Sequence, residues 1–342
     1  MSRAAIAVLS IGGEALFRRG ESGTQREQIR SARRAGRAIA ALVREGYRVV
    51  VTHGGRAQLE RELARNVEAA TKLPPQALDL CVASTQGGLG YLIATEARNE
   101  LRRLRIERPI TSIMTWTLVG LDDPAFREPA TLIGPRLTRW QAQSLSKSVD
   151  ARFAEQGEQA WLRVVASPLP LEILNLEAVE ALLDRGHVVM ACGVGGVPMA
   201  VDARGQIIGV EALVDADRAA SLLAQHIGAE VFVMLTGVDT VFREFGRSEQ
   251  RACERVSAAE LRGLLEEGHF PFDTMGPKVE AALEFVEDGG VRAVITSLPK
   301  LSAALADRGG TRVMRVVDEG PIRRQIPLFP APPEHDLLEY DA

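Results

Sequence analysis

The stretch Val188–Ala224, VVMACGVGGVPMAVDARGQIIGVEALVDADRAASLLA, decides how the rest of the chain is read. Val188 to Ala191 form an apolar run of strand length that stops at Cys192. Gly193, Gly195 and Gly196 follow, then a hairpin segment, and the Asp215-Ala216-Asp217 turn opens an amphipathic helix. Glycines let the backbone take positive φ and bring N–H groups close to a bound anion. A nearby helix N-terminus adds orphan donors and a partial positive charge. On the three glycines alone, an anion cradle and an ordinary strand end are equally open readings.

Outward from this stretch, apolar runs of strand length alternate with helix-period segments. That pattern predicts an α/β fold with a mostly parallel sheet covered by helices on both faces. The strands are expected at Ala4–Ser10, Tyr47–Thr52, Ile110–Trp116, Leu162–Ala166, Val188–Ala191, Val231–Leu235, Ala293–Thr296 and Arg312–Arg315. Helices are expected over Thr24–Arg44 and Pro277–Val286, among others. Two regions break the alternation. Residues 120–138, with Pro124, Pro129 and Pro135, read as a protruding lid or subdomain of a domain spanning 1–316. Residues 317–342 read as a proline-rich, acidic tail on the surface, which offers a place for a protein partner.

Composition excludes several classes. Lys plus Arg (41) against Asp plus Glu (45) leave a net charge of −4, so no basic field recruits nucleic acid. Cys81, Cys192 and Cys253 have no CxxC partner, which argues against a disulfide framework or zinc site and for a cytoplasmic protein. The first apolar run is too short for a signal or a membrane span, so no membrane role is expected.

In a doubly wound sheet, ligands sit beyond the carboxyl ends of the strands. Those ends read SIGGEAL, THGGRAQ, ACGVGG and LTGVD, and their convergence predicts a glycine-lined crevice. Neither GxxxxGK[ST] nor a GxGxxG after the first strand occurs, so this is not a P-loop or a dinucleotide fingerprint. Lys278, in DTMGPKVEAA, is the best catalytic candidate, because a cation in the first turn of a helix gains nothing from the helix dipole. The alternative is a surface lysine. His53 follows the second strand without an evident nucleophile and reads as a histidine bonded to loop backbone, while His187 and His226 read as structural. Glu14, Glu211, Asp215 and Asp217 supply carboxylates that can orient Mg²⁺ or substrate, or simply cap helices.

The ordered stretches IGGEALFRRGE, VVVTHGG, STQGGLGYLI, DDPAFREPATLIGP, VVASPLP, VVMACGVGGVPM, GVEALVDAD, MLTGVD and FDTMGPKVEAALEFVEDGG resemble carbamate kinase, of the amino acid kinase superfamily, over roughly residues 4–316. The resemblance implies a three-layer α/β/α sandwich with a small protruding subdomain, a homodimer, and transfer of the γ-phosphoryl of ATP with Mg²⁺. In the family the reaction usually runs from carbamoyl phosphate and ADP to ATP and carbamate. Carried over by residue, it implies Lys278 and Asp215 as catalytic. Substrate binding falls to Gly12, Gly13, Glu14, Gly54, Gly55, Arg56, Gly193, Gly195 and Gly196. Nucleotide binding falls to Thr236, Asp239, Phe242, Met275, Gly276, Pro277 and Lys278, and no residue is expected to ligate the metal directly.

The sequence also departs from the family pattern. GGNA is GGEA, placing Glu14 where an amide is expected, and THGNGPQ is THGGRAQ. The first acid of LTDVD is Gly237, while ACGGGG is ACGVGG, a change a backbone cradle tolerates only if Val194 keeps a negative φ. The lysines of PTKPIGP and IDKD are Leu132 and Ala216, leaving Lys278 as the one lysine of three. Arg18, Arg56, Arg127, Arg136 and Arg218 are the candidates to replace that charge. Two readings follow: a phosphotransferase acting on carbamate or another small acceptor, and a catalytically degenerate homologue that binds nucleotide or a partner.

Overall fold

Alternation along the strands sets the layers. In β1 (Ile6–Ile11), Ala7, Leu9 and Ile11 face one way and Val8 the other. β2 (Arg48–His53) divides Val49 and Val51 from Val50, and β12 (Val231–Thr236) divides Val231, Val233 and Leu235 from Phe232 and Met234. Side chains of a strand alternate between faces, so a strand covered on both reads as one continuous apolar run. Helices Gln25–Arg44 and Leu78–Arg103 cover one face. Helices Leu176–Asp184, Ala216–His226, Ala258–Glu266 and Met275–Glu287 cover the other. The result is a three-layer α/β/α sandwich, seen in a computed structural model that describes residues 4–17, 20–149, 151–157, 160–271 and 274–316.

The main sheet adds β3 (Ile110–Ser112), β9 (Val188–Met190), β15 (Arg255–Ser257), β16 (Arg292–Ser297) and β17 (Thr311–Met314), in the order β15-β17-β16-β12-β1-β2-β9-β3. Pairing is parallel from β16 to β3, and β17 lies antiparallel against β16. A second sheet orders β11 (Ile207–Gly209), β10 (Val197–Val201), β4 (Trp116–Leu118) and β8 (Glu172–Ile173). A third holds β5 (Thr131–Leu137), β7 (Ala160–Val165) and β6 (Arg152–Gln156), and β13 (Val241–Arg243) pairs with β14 (Arg251–Cys253).

Three expected strands change place. Ile110–Trp116 divides into β3 of the main sheet and the start of β4 in the second sheet. The segment expected at Leu162–Ala166 is β7, paired antiparallel with β5 and β6 outside the main sheet. Arg312–Arg315 shifts to Thr311–Met314, which runs antiparallel to β16 and parallel to β15. An apolar period identifies a strand but carries no information about which distant strand it joins. The 120–138 excursion holds helix Pro124–Arg127, capped by Asp123, and then β5. Its sheet continues past 138 through helix Arg139–Ser148, β6 and β7. Arg18 and the tail 317–342 lie outside the described residues, among which no helix is long and apolar enough to cross a membrane.

Candidate functional site

β12, β1, β2 and β9 are neighbours and parallel, so the four glycine-bearing strand ends open on one edge. They meet at backbone distance. Gly12 N–H donates to Leu235 O at 2.9 Å, and a Cβ on Gly12 would lie 2.6 Å from that oxygen. A Cβ on Gly54 would lie 2.8 Å from the nitrogen of Gly13. Only glycine permits both approaches.

The loop after β9 is held by side chains from other segments. Gln86 donates to Gly193 O at 2.9 Å and accepts from Thr115 N–H at 2.7 Å. The Thr115 hydroxyl accepts from Cys192 N–H at 2.6 Å, and the Thr117 hydroxyl donates to Gly195 O at 2.7 Å. No hydrogen bond from the N–H of Gly193 or Val194 is made to another described residue. Gly195, at φ 84°, packs so closely on Val214 that a Cβ would fall 2.2 Å from its carbonyl oxygen.

Val194 does not meet the condition of a negative φ: it sits at φ 58°, ψ 24°, in the left-handed region. Its buried side chain belongs to a cluster with Leu59, Leu63, Leu78 and Val197, and this packing offsets a backbone conformation that β-branched residues avoid.

Lys278, three residues after the start of helix Met275–Glu287, places Nζ 2.7 Å from Asp217 Oδ2, with both side chains largely buried. The Ser10 hydroxyl donates to the other oxygen of Asp217 at 3.4 Å. Burial alone would push the lysine pKa down, but Asp217, then Asp215 and Glu14, outweigh it and raise it, so the ammonium persists. Nζ also lies 3.7 Å from the position a Cβ on Gly12 would take, which puts the charge at the β1 end of the crevice. Asp217 thus supplies what the helix dipole cannot.

Asp215, a catalytic candidate from the sequence, caps helix Ala216–His226 by accepting from the N–H groups of Asp217 and Arg218, each at 2.9 Å. Burial, with Asp217 beside it, raises its pKa. Of the candidate replacement cations, Arg56 donates to Leu132 O and pairs with Glu60, and Arg218 pairs with Glu280 at 2.5 Å. Arg127 and Arg136 are exposed. Glu211 binds the buried Arg163.

On the nucleotide side, Asp239 accepts from the Ser297 hydroxyl at 2.5 Å, and its carbonyl accepts from Thr296 at 3.1 Å, tying its loop to the end of β16. Thr236 ends β12, Phe242 lies on β13 beside Phe245, and Met275, Gly276 and Pro277 open the helix that carries Lys278. His53 is buried with Nδ1 2.9 Å from Gly54 O, and His187 bonds Thr111. No group of three or more His, Cys, Asp or Glu among the described residues can hold a metal ion. The residues that sequence reasoning missed are Asp217 as the lysine's partner and Gln86, Thr115 and Thr117 as the loop's clamps. Gln86 stood in STQGGLGYLI, but nothing local pointed to its role.

A family model described as the amino acid kinase family matches residues 5–297. The carbamate kinase of Thermococcus kodakarensis is 38% identical over 312 residues, 90% of this chain and 98% of that one. The carbamate kinase-like protein YahI of Escherichia coli is 35% identical over 314 residues, 91% of this chain and 99% of that one. Among solved structures, a carbamate kinase from Giardia lamblia bound to AMP-PNP superposes with a TM-score of 0.86 at 31% identity, covering 92% of this chain and 99% of that one.

Proposed function

Because this chain belongs to the amino acid kinase family, with carbamate kinases as its relatives, we propose that it is a carbamate kinase-like phosphotransferase. It moves a phosphoryl group between ATP/ADP and carbamate, carbamoyl phosphate or another small acceptor. The observation that carries this reading is the Lys278 ammonium, held at the crevice by Asp217 at 2.7 Å, where four glycine-bearing strand ends meet.

Phosphoryl transfer needs positioning and neutralisation of charge on the equatorial oxygens more than covalent chemistry from the protein. In this reading the N–H groups of Gly193 and Val194 receive phosphoryl oxygens, and Lys278 neutralises the charge that develops between donor and acceptor. Asp217 keeps the lysine charged and aimed. Gly12 and Gly54 let the reactants approach the backbone. The protein offers no cage for Mg²⁺ among the described residues. Mg²⁺ is usually held by one or two carboxylates together with substrate phosphates, and bound with the nucleotide it would neutralise phosphate charge.

One observation favours slower turnover or a different acceptor. Leu132 and Ala216 stand where the resemblance calls for lysines, and Arg56 and Arg218 are engaged elsewhere. The homodimer is part of the same proposal: Trp116, Val201 and Ile207 expose apolar surface on one face of the second sheet, a face suited to a second copy. Sedimentation of wild type against Trp116→Asp tests that.

Calorimetric titration with Mg–ATP and Mg–ADP, using Lys278→Ala as control and carbamoyl phosphate in a second series, tests the function. Binding that depends on Lys278 supports it. Absence of binding by either nucleotide refutes it and favours the degenerate homologue.

A further inference from the structure

Glu14 and Gly237 stand just beyond neighbouring strand ends, those of β1 and β12. Glu14 Oε2 accepts from Gly237 N–H at 3.2 Å and from the Thr236 hydroxyl at 3.5 Å. A Cβ built on Gly237 would lie 2.9 Å from that same oxygen and 3.8 Å from the carboxyl carbon. The Glu14 carboxylate therefore fills the volume that a side chain at 237 would need. Lys278 Nζ lies 3.7 Å from where a Cβ on Gly12 would sit, two residues before Glu14, and Glu14 is among the charges that keep it protonated.

We propose that Glu14 is a positioning residue whose carboxylate, reaching across from the end of β1, takes the place of an acidic side chain at 237 and, together with Asp217, holds the Lys278 ammonium in place. The two departures, GGEA for GGNA and LTGVD for LTDVD, are then one exchange that moves a carboxylate from one strand end to the next. Asparagine at 14 is one methylene shorter and uncharged. Aspartate at 237 would set a second carboxylate against the first. Either change alone removes or doubles a negative charge beside Lys278, and both together keep one. The catalytic consequence rests on the phosphotransferase reading, whereas the exchange itself does not.

Wild type, Glu14→Asn, Glu14→Gln, Gly237→Asp and the Glu14→Asn/Gly237→Asp double variant test it. The chain has four lysines, Lys72, Lys147, Lys278 and Lys300, so ¹³Cε-lysine labelling follows the Lys278 titration directly, with Lys278→Arg for assignment. The titration is expected to move to lower pH in Glu14→Asn and Glu14→Gln and to return in the double variant. With carbamoyl phosphate and ADP, kcat is expected to fall about tenfold in Glu14→Asn and in Gly237→Asp, with KM for ADP changing less, and to recover in the double variant. An unmoved Lys278 titration in Glu14→Gln, or effects of Glu14→Asn and Gly237→Asp that simply add, would overturn the proposal. If wild type makes no ATP from carbamoyl phosphate, the functional reading fails on that substrate. The lysine titration and its restoration still decide the exchange.

Discussion

Val194 tests whether the loop after β9 has the backbone described for it. At φ 58° an L-residue bears a cost of about 1–2 kcal/mol that glycine does not. Replacing alanine by glycine at an ordinary buried site loses about 0.8 kcal/mol of methyl burial and about 0.7 kcal/mol through the freer unfolded chain. The net penalty there is about 1.5 kcal/mol. At position 194 the relief of backbone strain cancels most or all of that loss. Val194→Ala and Val194→Gly should therefore both be less stable than wild type, because each abandons packing on Leu59 and Leu63. They should differ from each other by no more than about 0.5 kcal/mol, with either order allowed. Urea unfolding with matched m-values reads the difference, which corresponds to about 1–2 °C in melting temperature for a domain of this size. If Val194→Gly is less stable than Val194→Ala by about 1.5 kcal/mol or more, the residue is not left-handed and the cradle has another shape.

Three further outcomes are expected. Asp217→Asn removes the main charge that raises the Lys278 pKa, so the alkaline limb of the pH–rate profile should move to lower pH; an unchanged limb would detach Lys278 from the rate. Burial holds His53 neutral and lowers its pKa, against a smaller opposing effect of Gly54 O. The unfolded chain then takes up a proton below about pH 6.5 that the folded chain refuses, so this contribution to stability is full above that pH and declines as pH falls toward the lower folded value. Denaturation at pH 7.5 and 5.5 should show that loss in wild type and a smaller one in His53→Asn. Desolvation pushes the Cys192 thiol up to about 12, only partly opposed by Thr115, and Cys81 and Cys253 are also buried and raised. Ellman's reagent at pH 8 should therefore label none of the three in folded protein and all three in guanidinium; rapid labelling of the folded protein would contradict this burial.

The layers were legible because each central strand carries its own burial on both faces, and a run such as Val231–Leu235 has no other good reading. The partner of β7 was not legible, since pairing with β5 joins distant residues such as Thr131 and Val165, or Leu137 and Trp161, across a helix and a third strand. The glycine crevice could be inferred from four strand ends, yet the assignment within Asp215-Ala216-Asp217 could not. A cap must sit one residue before the helix, which takes Asp215. The acid two positions on is turned toward the neighbouring helix and its lysine. The arginines mark the other limit. Arg56 and Arg218 occur in crevice segments, but only tertiary structure brings Leu132 O and Glu280 to them.

The clamp of Gln86, Thr115 and Thr117 also has an entropic consequence. Its hydrogen bonds engage the carbonyls of Gly193 and Gly195 and fix the loop between one helix and the segment Thr115–Thr117 that leads into β4. The conformational freedom that a flexible anion loop surrenders on association is here surrendered during folding, so more of the contact energy remains as affinity. For the phosphoryl oxygens proposed to dock on the N–H groups of Gly193 and Val194, the same rigidity would narrow the choice of guest, because a loop unable to adjust discriminates by size through order alone.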